Sequence, residues 1–423
     1  MFWLIEDSEQ LEDFKRQGFD EVFLEVIPYN FNVHPILDSV SLLYVHPLNS
    51  HKGYMLSISH SETLPLDIDA ITQALGEIKK IYVRDKKSTL QYITLKSLLD
   101  SQPTHNTYIP DYTHTHKWFY QQHKDKLDVN RIIPVVKHYE YCESIFTNMD
   151  VFNTKCEDDY CQWFNQKTSI VFSAIEANGL RVNKELFEEY FHPIEDDYVY
   201  TQYNLKTLTT RPSNTFNGVN YAALNKENGS RQCFIPRNDI LLELDISAYH
   251  PTLLANLVDY DFGDKDIHAA FAEMYGVDYK KAKELTFKQL YGGVFDQYKN
   301  LEFFKKVQAY TDELWDTFQY GGFVKMPNSG YILRREDTQD MKPQKLLNYV
   351  IQNLETSTNV RILWEILKLL RGKKTKLVLY TYDAFLFDLS SDEKEVINEI
   401  NQIIKGYKLA TKISYGSTYD FTE

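Results

Sequence analysis

Apolar and polar positions alternate with two rhythms along the chain. Over residues 1–110 short apolar runs are separated by polar turns. Val22-Phe23-Leu24-Glu25-Val26-Ile27, Val40-Ser41-Leu42-Leu43-Tyr44-Val45 and Tyr54-Met55-Leu56-Ser57-Ile58 read as strands. Residues 68–80 have a helical period, and Ile81-Tyr82-Val83 follows as a short strand. Residues 103–131 are polar and contain Pro103 and Pro110, a surface loop or domain edge. Its histidines His105, His114, His116 and His123 read as exposed and unliganded, because no Cys or acid has matching spacing. From 135 to 191 the pattern is helical, with Gly179 closing one helix and Asn183 capping the next. Residues 200–240 mix loops with short strands, and 241–423 alternate strand, helices and strand. The pattern predicts an α/β multidomain protein without internal repeats.

Composition narrows this only a little. A chain of 423 residues holds about two to four domains with cores. Its 43% hydrophobic and 25% charged content are those of a soluble globular protein. A net charge of −14 argues against a general nucleic-acid coat protein but leaves room for a local basic channel. Lys280, Lys281, Lys283, Lys288 and Lys299 form one basic run, and Lys368, Arg371, Lys373, Lys374 and Lys376 another; the plain alternative is two solvated charge runs. Cys142, Cys156, Cys161 and Cys233 match neither a disulfide framework nor a zinc motif, so a reduced, cytoplasmic protein is expected. The acidic start Met1-Phe2-Trp3-Leu4-Ile5-Glu6-Asp7 is no signal peptide, and no apolar run is long enough for a membrane span.

Candidate chemistry lies between residues 241 and 388. Leu241-Leu242-Glu243-Leu244-Asp245 reads as a strand ending on a carboxylate. The run 377–387, centred on Tyr382-Asp383-Ala384, reads as a second strand carrying another. Two such carboxylates can hold a pair of Mg²⁺ ions about 3.5–4 Å apart, the arrangement that clamps the attacking and leaving oxygens of an in-line displacement. Pro251 falls in the first turn of the next helix, which leaves the backbone carbonyl of Ile246 as a further candidate ligand. Between the two strands, Lys283, Phe287 and Tyr291 recur at i, i+4 and i+8 and share one helix face. A cation with two rings suits a nucleotide: charge for phosphates, faces for sugar and base. Each element also has a plainer reading. Asp245 could be an N-cap, Asp383 a strand-edge carboxylate bonded to backbone, and Lys283 a lysine snorkelling from an amphipathic core stripe.

In order, the motifs resemble family A DNA polymerases, the bacterial DNA polymerase I type also used by many bacteriophages. The resemblance covers roughly residues 165–423. Glu176-Ala-Asn-Gly179-Leu-Arg-Val182 is similar to the entry to the polymerase domain. Thr201 to Asn214, through Thr210-Arg211-Pro212-Ser213, is similar to a template-primer segment with Thr210 in place of Gly. Asp245 and Asp383 fall on the two catalytic aspartates. Asp266-Ile267-His268 matches a motif whose His touches the incoming phosphates. Lys283 to Tyr291 has the family spacing, and Asn348-Tyr-Val-Ile-Gln352 resembles a primer-template motif. The resemblance implies a palm and fingers over 201–423, with fingers at about 255–325, a helical connector over 135–200, and a degenerate exonuclease-like (RNase H-like) domain over 1–134.

The departures are informative. His250 stands where the family has a Glu that excludes a 2′-hydroxyl from the sugar site. Ala384 follows Asp383 where an acid is usual, Lys288 replaces a Gly beside the template, and Tyr279 replaces an Arg, leaving Lys280 as a substitute phosphate ligand. The stretch 192–200 is too short for the family's helical thumb, since one helix of 20 residues is about 30 Å long. In the N-terminal region Glu25 stands for one exonuclease acid, a second acid is missing, and Asp85 is a remnant of the next motif.

The resemblance therefore implies template-directed addition of dNTPs to a primer 3′ end. Asp245, Asp383 and the Ile246 carbonyl hold two Mg²⁺, with Mn²⁺ as the alternative ion. Lys283, His268, His250, Lys280, Phe287 and Tyr291 meet the nucleotide, and Arg211, Asn348, Gln352 and Lys288 the primer-template. The missing thumb implies low processivity, with a partner protein or the N-terminal domain gripping the duplex; the missing acid implies no proofreading, and the short apolar runs imply no membrane association. Two rival readings are a single-subunit RNA polymerase-like enzyme and a non-catalytic nucleic-acid-binding subunit.

Overall fold

A computed structural model describes residues 2–30, 33–93, 129–147, 159–217, 219–263 and 265–421. These form two compact units, Met1–Ala177 and Asn178–Glu423. Most of the His-rich stretch, residues 103–128 with His105, His114, His116 and His123, lies outside the described residues.

The first unit is built on β1 (Trp3–Ile5), β2 (Glu21–Pro28), β3 (Val40–Pro47), β4 (Tyr54–Ser57) and β5 (Lys80–Val83), ordered β1-β4-β3-β2-β5. β2, β3 and β4 run antiparallel, while β1 and β5 join parallel to β4 and β2. The near-continuous apolar runs seen in the sequence follow from burial on both faces, with alternation dividing the residues between them. Val22, Leu24, Leu43 and Val45 meet α1 (Ser8–Arg16) and α2 (Ile68–Gly76) through Leu11, Phe14, Ile71 and Leu75. Phe23, Ile27, Leu42 and Tyr44 point the other way. α3 (Lys86–Tyr92) and the short α4 (Val129–Ile132) lead to α5 (Val135–Thr147), which covers that second face with Val135, Tyr141 and Ile145. α6 (Asp159–Asn178) follows. Cys142 and Cys233 are buried free thiols, but Cys161 is disulfide-bonded, so the expectation of uniformly reduced cysteines does not hold.

The second unit begins at Asn178, beside Gly179. Gly179 has φ +63°, and a Cβ there would lie 2.8 Å from the Tyr200 ring, so position 179 accepts only glycine without rearrangement. β6 (Leu180–Arg181) leads to α7 (Lys184–Tyr190), capped by the Asn183 side chain, which accepts from the Leu186 N–H. The chain then returns without a further helix to β7 (Tyr198–Val199), which pairs antiparallel with β6. β8 (Tyr203–Asn204), β9 (Ser213–Phe216) and β10 (Val219–Asn220) form a small sheet.

The main sheet is ordered β14-β15-β11-β16, with β11 (Ile240–Ile246) between β15 (Ala384–Leu389) and β16 (Thr411–Gly416), and β14 (Lys376–Tyr380) at one edge. Between β11 and β14 come α8 (Tyr249–Leu257), α9 (Ile267–Tyr275), α10 (Tyr279–Gly292), α11 (Glu302–Gly321), the hairpin β12 (Phe323–Lys325)–β13 (Ile332–Arg334) and the 27-residue α12 (Pro343–Leu369). α13 (Glu395–Gly406) precedes β16. α8 to α11 share an aromatic core around Phe271, Phe303 and Phe304 with Leu347 and Ile351 of α12. Among the described residues no helix is long and apolar enough to cross a membrane.

Candidate active site

Asp245 is the penultimate residue of β11, paired with Ala384 on one side and Lys412 on the other. Asp383 departs from expectation. The run 377–387 is two antiparallel strands, and Thr381-Tyr382-Asp383 is the tight turn between them. Tyr382 takes a left-handed φ of +70°, and the Thr381 N–H donates to the Ala384 carbonyl at 2.9 Å to close the turn. Apolar content alone could not locate this turn, because both strands are buried. The Ile246 N–H donates to the Asp383 carbonyl at 2.7 Å, which pins the turn to the end of β11 and sets the two aspartates side by side.

The charge of the pair is only partly compensated by neighbouring cations. Burial pushes the Asp245 carboxyl up to about 6, with the charges of Asp383 and Glu243 adding and those of Lys226 and Lys283 opposing. Asp383 is open to solvent at the turn yet has protein packed closely around it. Its pKa is also raised, first by burial and then by the Glu355 charge. Two adjacent carboxylates that resist ionisation are what a divalent cation would relieve. Among the described residues no group of three or more His, Cys, Asp or Glu converges as a metal cage. That does not conflict with Mg²⁺, which is commonly held by one or two carboxylates and completed by water and substrate phosphates. The donor set therefore fits. Ala384, buried opposite Asp245, supplies no third acid.

α10 places Lys283, Phe287 and Tyr291 on one face as expected. Lys283 is exposed and makes no salt bridge among the described residues, yet its charge reaches both Asp245 and His268. Phe287 is exposed and stacks on Tyr291 at 6.1 Å between ring centres. His268, near the start of α9, is buried beside Tyr279 and Phe287, and its Nδ1 has no hydrogen-bond partner. Burial, with Lys283, lowers its pKa. Lys280 is exposed. Lys281 and Lys288 both pair with Glu284, and Lys299 pairs with Asp296. In the second basic run, Lys368 pairs with Glu365 and Lys374 with Asp392.

α12 carries the residues that sequence reasoning missed. It is buried around most of its circumference from Leu346 to Ile366, so its polar side chains need partners within the protein. Asn359 donates to the Tyr380 hydroxyl and the Tyr382 carbonyl and accepts from the Tyr249 hydroxyl, bracing the Asp383 turn. Asn353 donates to the Thr210 Oγ1 at 2.9 Å. Thr210 stands where the resemblance has Gly and keeps a left-handed φ of +60°, so the backbone requirement persists and Asn353 holds it. Asn348 donates to the Tyr291 carbonyl at 3.4 Å, and Gln352 is half-buried on the same helix.

Glu355 was not anticipated. Only 1% of its side chain is exposed; it pairs with His250 Nε2 and accepts from Arg211 Nε at 3.2 Å. His250 Nδ1 in turn meets the Tyr291 hydroxyl. Arg211 also lies 3.6 Å over the Tyr382 ring. The one available signal was a set of charged and amide residues inside a helical stretch too apolar to be a surface helix, and periodicity assigns no role to those. A cavity of 810 Å³ lined by Ser247, Ala248, Asp259, Lys265 and Lys408 takes in the turn after Asp245 but excludes Asp383 and Lys283.

The carboxylate pair thus lies at one end of the main sheet, where the charge of Lys283 reaches Asp245. The chain matches the structure described as "POL domain of Pol1 from M. smegmatis complex with DNA primer-template and dNTP" with a TM-score of 0.71. The match covers 99% of each chain at 12% sequence identity. It bears out the resemblance at the level of fold. No family model and no curated sequence matches the chain.

Proposed function

We propose that the protein is a DNA-directed DNA polymerase that adds dNTPs to a primer 3′ end. The observation that carries the reading is the partly compensated Asp245–Asp383 pair, pinned together by the Ile246–Asp383 hydrogen bond and faced by Lys283. Asp245 and Asp383 would hold two Mg²⁺, with the Ile246 carbonyl as an additional ligand. When bound, the ions lower the pKa of the primer hydroxyl and stabilise the pyrophosphate leaving group. Lys283, His268 and Lys280 supply positive charge or hydrogen-bond donors for the triphosphate. Phe287 and Tyr291 offer stacked rings to base and sugar, and His250 occupies the sugar-gating position. Arg211, Asn348, Gln352 and Lys288 line the primer-template side.

Two finer readings have local support. The absence of any helix between Tyr190 and Tyr198 favours a vestigial thumb, low processivity and a partner protein that grips the duplex. In the first unit Glu25 is paired with Arg84, and Asp85 is spent capping α3 through the Ser88 N–H and Oγ, which favours an exonuclease-like unit without proofreading. Primer extension with Mg²⁺ and either dNTPs or rNTPs tests the activity and separates the RNA polymerase reading. Extension that persists in Asp245→Asn rules out the proposed site. End-labelled DNA left undegraded in the same reactions supports the absence of proofreading.

A further inference from the structure

The buried carboxylate of Glu355 has no place in the reaction as described, yet it reaches the nucleotide-facing helix through a continuous chain of polar contacts. Its Oε1 accepts from Arg211 and its Oε2 pairs with His250 Nε2. A carboxylate only accepts, so Nε2 carries a proton whichever charge state the ring adopts. Nδ1 is thereby directed at the Tyr291 hydroxyl. Burial, with the Glu355 charge, pushes the Tyr291 phenol up to about 12, so it stays protonated. The tautomer and tilt of His250, and with them the Tyr291 hydroxyl, are thus set from α12. Arg211, 27% exposed at its side chain, balances the carboxylate charge and braces Tyr382 in the turn that carries Asp383.

We propose that Glu355 is the positioning residue for sugar selection, holding the His250 imidazole against the Tyr291 hydroxyl beside the nucleotide face of α10. This rests on the polymerase reading and deepens it. A carboxylate missing from the expected place on α8 is supplied in space from α12. It works through a histidine, so selection depends on ring orientation and not on a carboxylate facing the sugar directly.

The test is single-nucleotide insertion on a primer-template with dNTP and with rNTP. Wild type, Glu355→Gln, Tyr291→Phe and the double variant are compared, with thermal melts as a folding control. Glu355→Gln should lower the dNTP-over-rNTP ratio of kcat/KM by about tenfold, mainly through KM. Tyr291→Phe should shift it comparably, and the double variant no further than the larger single, because both break one chain. A general loss of stability would move rates but not this ratio. Folded variants whose ratios stay within about twofold of wild type, or whose effects add, overturn the inference alone. If Glu355→Gln does not fold, Tyr291→Phe and His250→Gln carry the same test with the same two outcomes. Wild type that extends with neither nucleotide overturns the polymerase reading and the inference with it.

Discussion

Glu25 and Asp245 occupy similar local positions and have opposite surroundings. Each sits on an inner strand of its sheet, β2 in the first unit and β11 in the second. Glu25 is met by Arg84, which donates from Nε at 3.0 Å and from a terminal nitrogen at 2.5 Å, with both side chains largely buried. Nearby in the same unit Lys87 donates to both oxygens of Glu176 at 2.6 and 2.8 Å. Asp245 has another carboxylate as its neighbour, and its closest cations oppose the raised pKa without cancelling it. One sheet has used its acids to hold itself together, while the other keeps a charge imbalance that a ligand could relieve. Breaking a buried ion pair strands a charge inside the protein, whereas a partly compensated carboxylate couple is the kind of perturbed group that marks candidate functional sites.

The comparison breaks first on activity. Asp245→Asn or Asp383→Asn should reduce primer extension by at least about a thousandfold, since either removes one of the two acids proposed to hold the metal ions. Glu25→Gln should leave extension intact. Next comes stability. Glu25→Ala strands a buried guanidinium and should cost about 3–5 kcal/mol in denaturant unfolding, whereas the Glu25→Ala/Arg84→Ala pair should cost less than the two singles summed. Equal additivity would mean that the pair is not a unit.

Mg²⁺ binding to the native state should raise the melting midpoint of wild type at pH 7.5, by about 2.7 kcal/mol of stability at a hundredfold excess over Kd. Asp245→Asn should lose that shift and Glu25→Gln should keep it. The smallest effect is the pH dependence without divalent ions. Asp245 titrates at about 6 when folded against an ordinary 3.8, so it binds its proton more tightly in the native state. Its contribution to stability is fully present below pH 3.8 and is lost as pH rises through 6. Asp245→Asn should therefore melt later than wild type at pH 7.5 and no later at pH 4. The difference should be about 1 kcal/mol after allowing for partial exposure.

Much of the second unit was legible because its chemistry is written in short segments. Asp245 at a strand end, the i, i+4, i+8 face of α10 and the Gly179–Asn183 punctuation are local features, and each lies where its pattern placed it. The Asp383 turn was missed because two buried strands on either side of a three-residue turn read as one apolar run. The fate of Glu25 was legible only in part. Its residue type matched a nuclease acid, but its pairing with Arg84 comes from β5 lying beside β2. Glu355 was invisible as a site residue because its partners come from the 201–214 segment and α8, and it reaches α10 only through His250.

By itself the sequence determined the succession of strands and helices, the residues able to carry charge or rings, and the order of motifs that resembles a polymerase. Those depend on periodicity and residue type, which are local. The tertiary structure decided which charges are neutralised and which are left exposed to a ligand. Electrostatic free energy depends on distances between residues far apart in the chain and on how much water remains around them. For that reason Glu25 became part of the scaffold, Asp245 and Asp383 kept raised pKa values, and Glu355 acquired a histidine and an arginine that no spacing rule connects to it.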